Sequence, residues 1–439
     1  MKKKIKIGYV GLGRRGYIVL SRAIVKMGDV EITMLCDLID DRLNEAAKCV
    51  TDMGRPAPIL TKNYQDLLDN DELDAIMLFT GWDNRVRLAK QSMLAGKYTA
   101  IEVGCAANIE ECFELVDIYE KTGVPLMMLE NCCYGKRELM ALNMKHMGAF
   151  GEIVHAAGGY CHYLNEMDLF KEMVQEGKDE VTHYRLAHYI NENRENYPTH
   201  ELGPISKCLG INRGNKMLTL SSFATKSCGL KQYATDKFGA DSKYAQIDYK
   251  QGDIVNTIIT CANGETILLT LDTTVPRAFY SRQFTVRGTK GMIYEDGKVV
   301  YTDDMPEDTR DNEADVFEKY GHPLNKEVVE FETDETRVQA TFGLHADGVD
   351  WMVFRAFIES VKAGTQTPID VYDSALWLAI GPLSAESIAK GGAPVEVPDF
   401  TRGKWQNREP LTRQKYCLDE VVVDNSIPMY GALITKKES

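Results

Sequence analysis

The feature that most constrains this chain lies at its start. Ile5 to Val10 reads as a buried strand and runs straight into Gly11-Leu12-Gly13-Arg14-Arg15-Gly16, which opens a helical pattern. A Gly-x-Gly-x-x-Gly turn between a strand and a helix is the dinucleotide fingerprint. The first glycine makes the tight turn, the second lets a pyrophosphate approach the backbone, and the third lets helix and strand pack closely. The pyrophosphate then rests on amides at the helix N-terminus, with Gly11, Gly13, Arg14, Arg15 and Gly16 forming the cofactor loop. Asp37 ends the next strand, where a carboxylate accepts from the ribose hydroxyls and repels a 2′-phosphate, which favours NAD. Arg42 nearby keeps NADP open as a minor option.

The pattern repeats over the first 130 residues. Strand-like runs at Ile32 to Cys36, Ala75 to Phe79, Tyr98 to Glu102 and Pro125 to Leu129 alternate with amphipathic segments such as Asn84–Leu94 and Ile109–Lys121. Continuous apolar runs mark strands covered on both faces, hence a parallel sheet. Beyond that point short β runs dominate (Glu152–Tyr163, Ile254–Cys261, Thr266–Leu271, Phe284–Arg287), with late helices at Trp351–Lys362 and Ser374–Ala389. The expected class is α/β: an N-terminal Rossmann domain, residues 1–130, and a C-terminal α+β domain, residues 131–439, around a large open, mostly antiparallel sheet. Gly203-Pro204 reads as a rigid turn, residues 303–337 as an acidic surface excursion, and the polar tail from Arg402 as a segment that wraps the body or a partner subunit.

Charge narrows the partners. With 51 Lys+Arg against 65 Asp+Glu the net charge is −14, which argues against nucleic acid or an anionic membrane, both of which need a basic face. No apolar run approaches the ~20 residues that span a bilayer, and the Met1-Lys2-Lys3-Lys4 start shows no signal-peptide core. Eleven cysteines without a CxxC pair read as reduced thiols, so a cytoplasmic location is expected.

Six of the eight histidines lie between His146 and His200. The five-residue spacing of His183 and His188 splays them on a helix, and no cysteine pair joins them, so no metal is expected. Tyr197-Pro198-Thr199-His200 is different: it sets a phenol and an imidazole beside rigid backbone. A positioned His is the usual general base, with Tyr as an acid or polariser. A buried structural loop is the competing reading of the same residues.

These residues resemble the Gfo/Idh/MocA oxidoreductase superfamily, and within it glycoside hydrolase family 109, the NAD-dependent α-N-acetylgalactosaminidases. The carrying segments are Glu130-Asn131-Cys132-Cys133-Tyr134, Gly151 to Tyr160, Tyr197 to His200, Ile211 to Gly214, Gly288 to Gly291, Asp370 to Asp373 and Pro398 to Trp405. The resemblance implies that NAD accepts a hydride from C3 of the sugar. The C2 hydrogen is then acidic enough to remove, the glycosidic oxygen leaves by elimination, water adds at C1 and the hydride returns. Carried onto this chain, it implies cofactor contacts at Trp82, Arg85, Glu102, Val103 and Asn131. It also implies sugar contacts at Tyr160, Arg185 and Tyr280, and proton transfers by His200 and Tyr197. A net NAD-dependent sugar or cyclitol dehydrogenase is the alternative. Many dehydrogenases of the superfamily carry Glu-Lys-Pro where this chain has Glu102-Val103-Gly104, and the missing lysine favours the glycosidase. The chain departs from the hydrolases at Asp83-Asn84-Arg85, Gly104, Glu201 and the segment His345 to Asp350. The open sheet implies, by family analogy, a homo-oligomer.

Overall fold

A computed structural model describes residues 4–180, 183–305, 313–324, 348–409, 411 and 415–421. Six strands form the first sheet: β1 (Ile5–Val10), β2 (Val30–Cys36), β3 (Ile59–Thr61), β4 (Ala75–Leu78), β5 (Tyr98–Ile101) and β6 (Leu126–Met128). Their order is β3-β2-β1-β4-β5-β6, and every pairing is parallel. Helices α1 (Arg14–Arg22), α2 (Asp40–Asp52), α3 (Gln65–Leu68), α4 (Trp82–Leu94) and α5 (Ile109–Thr122) connect them. β4 is buried at all four positions, as a strand covered on both faces must be.

The second sheet has eight strands in the order β13-β12-β11-β7-β10-β9-β8-β14. They are β7 (Ile153–Cys161), β8 (Met217–Ala224), β9 (Ile254–Cys261), β10 (Thr266–Asp272), β11 (Thr285–Gly288), β12 (Gly291–Tyr294), β13 (Val299–Thr302) and β14 (Val395–Glu396). Only β7 and β10 pair in parallel. β9 alternates buried and accessible residues along its length, so one face meets the core and the other is open. The helices α6 (Lys136–His146), α7 (Lys171–Val174), α8 (Tyr184–Asn191) and α9 (Thr199–Leu209) lie between β6 and β8 in sequence. α9 packs on β7 and on a 3₁₀ turn, Asn131–Tyr134.

Two late helices tie the halves together. Val349–Ala363 packs on that 3₁₀ turn and on β1, and Val371–Ala389 packs on α5, β6 and β8. The second begins at Asp370, whose carboxylate accepts from the amides of Tyr372 and Asp373, an N-cap.

One local expectation is corrected. Gly203-Pro204 is not a turn; both residues lie inside α9, which starts at Thr199. Pro204 removes the helical bond to the carbonyl four residues back, that of His200. Gly203 makes the contact with the 3₁₀ turn possible, because a Cβ there would stand 2.9 Å from Glu130 Cγ and 3.0 Å from Cys133 Sγ. Of the tail, Arg402 pairs with Asp117 and Glu120 on α5, while Tyr416, Cys417 and Leu418 are buried. Most of 306–337 and the residues His345 to Asp347 lie outside the described residues.

Candidate active site

The nucleotide end is shaped by close backbone approaches. Gly11 has φ +90°, a region side chains avoid, and a Cβ on Gly16 would overlap the Gly11 carbonyl oxygen. Around Gly13 the nearest atom to a Cβ would be Arg42 Nη1 at 3.9 Å, which leaves an open cradle of backbone. Asp37 stands where β2 ends; its carboxylate accepts from the Leu12 amide (2.6 Å) and the Ile39 amide (3.0 Å). Arg42 lies 3.9 Å from it. The loop and Asp37 fit a dinucleotide.

Deeper in, Arg15 bonds to Glu102 (3.1 Å) and forks onto Asp350 (3.0 and 2.5 Å). Asp350 also accepts from the Asn131 side chain at 2.9 Å. Three expected cofactor residues are therefore linked in a chain, Glu102 to Arg15 and Arg15 with Asn131 to Asp350, which belongs to the late helix Val349–Ala363. Arg85 is buried, and its guanidinium donates to the carbonyls of Val103 and Thr80. It clamps the ends of β4 and β5. A Cβ at Gly104 would overlap Trp82 Nε1, so this glycine admits the indole.

Trp82 leads from the nucleotide end to a ring cluster. Its ring centroid lies 4.9 Å from His188, 5.5 Å from Tyr184 and 6.2 Å from Tyr197. Tyr197 is 4.2 Å from Tyr160 and 4.8 Å from His200; Tyr160 is 5.6 Å from His200 and 6.3 Å from Tyr280. The Arg185 guanidinium sits over Tyr197 at 4.8 Å, a cation–π contact, and bonds to Asp168 at 3.3 Å. Asp168 also holds Arg14 at 3.1 Å, linking the glycine loop to this cluster. All five residues expected at the sugar gather here: Tyr160, Arg185, Tyr197, His200 and Tyr280.

His200 Nδ1 is 2.9 Å from Glu130 Oε1. Burial works to raise the Glu130 carboxyl, but the His200 imidazole and its hydrogen bond outweigh it and hold it below the ordinary range. An ionised carboxylate only accepts, so it fixes the proton on Nδ1 and puts the proton-accepting lone pair on Nε2. Burial pushes the Tyr197 and Tyr160 phenols up, with Arg185 opposing, so both stay protonated donors at neutral pH. His183, half-buried beside Arg185, is pushed down to about 4 by its partial burial and by that guanidinium, and is neutral.

Glu130, Asp168, His162 and Asp350 were not singled out from sequence. His162 is one of the six histidines between His146 and His200, and its Nδ1 is 3.1 Å from the Tyr160 hydroxyl. Tyr160 lies in β7 and His162 is the residue just past its end; the i, i+2 spacing of extended chain, which sets two side chains to one side, is the signal that could have found it. Glu130, Cys132 and His200 offer donor atoms within 4.8 Å of one another, the one such group among the described residues. The Glu130–His200 hydrogen bond gives the group a proton-handling arrangement.

Comparison with known proteins gives the family and the fold. The family described as "Glycosyl hydrolase 109, C-terminal domain" matches residues 134–407, and "Oxidoreductase family, NAD-binding Rossmann fold" matches residues 5–130. An alpha-N-acetylgalactosaminidase of Tannerella forsythia is 37% identical over 424 residues, covering 92% of this chain and 88% of the relative. A glycosyl hydrolase family 109 protein of Parabacteroides distasonis is 34% identical, covering 93% and 89%. Among solved structures, a levoglucosan dehydrogenase in complex with NADH and levoglucosan superposes with a TM-score of 0.65 at 14% identity, over 90% of this chain and all of that one. A myo-inositol 2-dehydrogenase from Lactobacillus plantarum gives 0.62 at 15%, with the same coverage. At such identity these two show the fold.

Proposed function

The chain belongs to the glycosyl hydrolase 109 family, and on that premise we propose that it cleaves α-N-acetylgalactosaminide-like glycosides by transient oxidation at C3. The observation that carries this reading is the Glu130–His200 pair, set among Tyr160, Tyr197 and Arg185 and joined through Trp82 to the dinucleotide loop. The cofactor is NAD, held by Gly11, Gly13, Arg14, Arg15, Gly16, Asp37 and Asn131; the Asp37 carboxylate disfavours a 2′-phosphate. When bound, NAD supplies a hydride acceptor for the sugar carbon and returns the hydride at the end, as in glycosidases outside the two-carboxylate scheme.

The residues of the chain do the rest. Tyr160 and Arg185 grip hydroxyls and the acetyl oxygen. The 3-hydroxyl proton that must leave with the hydride is relayed by the Tyr160 phenol toward His162 Nδ1, 3.1 Å away, and returns by the same route. His200 takes the C2 proton on Nε2, and Glu130 stabilises the resulting imidazolium. Tyr197, a protonated phenol beside His200, moves a proton at the oxygen that leaves. Water then adds at C1, and His200, whose Nε2 proton has exchanged with solvent while the aglycone departs, delivers a proton to C2. Val103 stands where a lysine would polarise the hydroxyl of a net dehydrogenation, and its apolar side chain supplies no such group. All eleven cysteines are free, which suits a reducing cytoplasm. Phe223 and Ile258, exposed on the open sheet, suit association of like chains.

The test uses 4-nitrophenyl α-N-acetylgalactosaminide with the purified NAD-loaded protein in deuterated buffer. The expected result is nitrophenol release, deuterium at C2 of the product sugar and no accumulating NADH. NADH building up with the aglycone still attached would instead identify a net dehydrogenase and overturn this reading.

A further inference from the structure

Behind the ring cluster lies a buried group of charges that the mechanism above does not use. Glu201 follows His200 on α9 and is 1% exposed. Its Oε1 lies 3.3 Å from Arg282 Nε. Arg282 Nη2 is 2.7 Å from Glu138 on α6 and 3.6 Å from Glu295, just past β12. Room for Glu201 is built into the sheet, since a Cβ on Gly158 of β7 would overlap Glu201's own Cβ. The Arg282 carbonyl accepts from the Gly159 amide at 2.6 Å, and Ser281 exchanges two 3.1 Å bonds with Cys161. Arg282 is therefore anchored along β7 by its backbone and to α9 by its side chain. Two residues before it stands Tyr280, whose ring meets Tyr160 at 6.3 Å and His162 at 5.1 Å.

We propose that Glu201 and Arg282 act as a positioning pair that joins the His200 helix to the Tyr280 segment, so that the sugar-facing position of Tyr280 is set by Glu201. Tyr280 is 41% exposed, so packing alone does not hold it, and the segment that carries it is tied to α9 from beneath. The contact between Glu201 and Arg282 is the 3.3 Å approach of Oε1 to Nε. Burial pushes the Glu201 carboxyl well up, Arg282 opposes this, and Glu138, Glu295 and Glu130 add to the rise. Cys132, whose thiol burial also raises, and the Tyr280 phenol complete the titratable groups around Arg282. Arg282 is thus a cation set among three carboxyls, which is what draws α9, α6 and the segment after β12 onto it. The proposal rests on the reading of Tyr280 as a sugar contact.

A mutant cycle on the NAD-loaded enzyme with 4-nitrophenyl α-N-acetylgalactosaminide tests it. Tyr280→Ala is expected to raise KM about tenfold, Glu201→Gly to raise it five- to tenfold with kcat changed less than threefold, and Glu201→Gln to restore KM. The double variant Glu201→Gly/Tyr280→Ala should match Tyr280→Ala alone. If the two effects multiply, or if Glu201→Gly lowers kcat at constant KM, the coupling is wrong while the sugar site stands. An unchanged KM in Tyr280→Ala overturns both. Should Glu201→Gly not be recovered folded, Arg282→Lys, which keeps the charge and loses the fork, is read in the same cycle with the same expectations.

Discussion

Glu195 offers the sharpest physical test of this structure, because it is a carboxyl with no charged partner. It is 1% exposed; Oε1 accepts from the Tyr197 amide at 3.1 Å, and Oε2 has no hydrogen-bond partner. Burial lifts it from the ordinary 4.5 to about 8, against a small lowering by the Tyr197 amide. Between those two values the native state holds a proton that the unfolded chain has released. Stability must therefore fall as pH rises through that window, at up to ~1.36 kcal/mol per pH unit for one group, and level off above about 8. The ceiling over the window is ~5 kcal/mol; relaxation and water entry on ionisation bring the expected value to about 2–3 kcal/mol. Glu195→Gln keeps the oxygen acceptor and carries no proton to lose. Urea unfolding of both proteins at pH 5.5, 7.0 and 8.5 reads the effect as the difference between them. The variant should match or trail wild type at pH 5.5 and exceed it by about 2–3 kcal/mol at pH 8.5. Parallel curves across the range would show that Glu195 does not carry this proton.

His200→Ala and Tyr197→Phe should each lower kcat by about a hundredfold or more, the usual reach of a positioned acid or base, while NAD stays bound as read by absorbance of the purified protein; normal turnover in either refutes its role. Gly203→Ala should push α9 away from the Asn131–Tyr134 turn, at a cost of about 1–3 kcal/mol for overpacking. The matching signature is a lowered Tm with a larger fractional loss in kcat than in stability-matched surface variants, since the added methyl presses on Glu130. An unchanged Tm would mean that the helix seats differently.

Local chemistry was readable wherever neighbours in sequence are neighbours in space. The glycine loop, Asp37 and the strand bounds of β1 and β9 follow from patterns a few residues long. Glu130 and His200 are 70 residues apart, and Arg15 and Asp350 are 335 apart, so no spacing connects them. The resemblance nonetheless brought His200, Tyr197, Tyr160, Arg185 and Tyr280 forward as a set, and they do lie together. Gly203-Pro204 misled because glycine and proline punctuate turns. Here the glycine serves a tertiary contact, and the proline falls where its missing amide costs one bond. Glu201 stood out in sequence only as a departure; its charge partners sit on three other segments.

The helix Val371–Ala389 has a consequence for how the protein is made. The Ser374 hydroxyl accepts from the Met128 amide at 3.1 Å, and the Leu378 carbonyl accepts from the Ala106 amide at 3.1 Å. Strand β6, by its hydrogen bond, and helix α5, by its packing, thus meet a helix synthesised some 250 positions later. The nucleotide-binding half emerges from the ribosome with one flank uncovered, and that flank is apolar. An apolar flank left open over that interval is the kind of surface on which incomplete chains aggregate. Expression at reduced translation speed or with added chaperone acts on that interval.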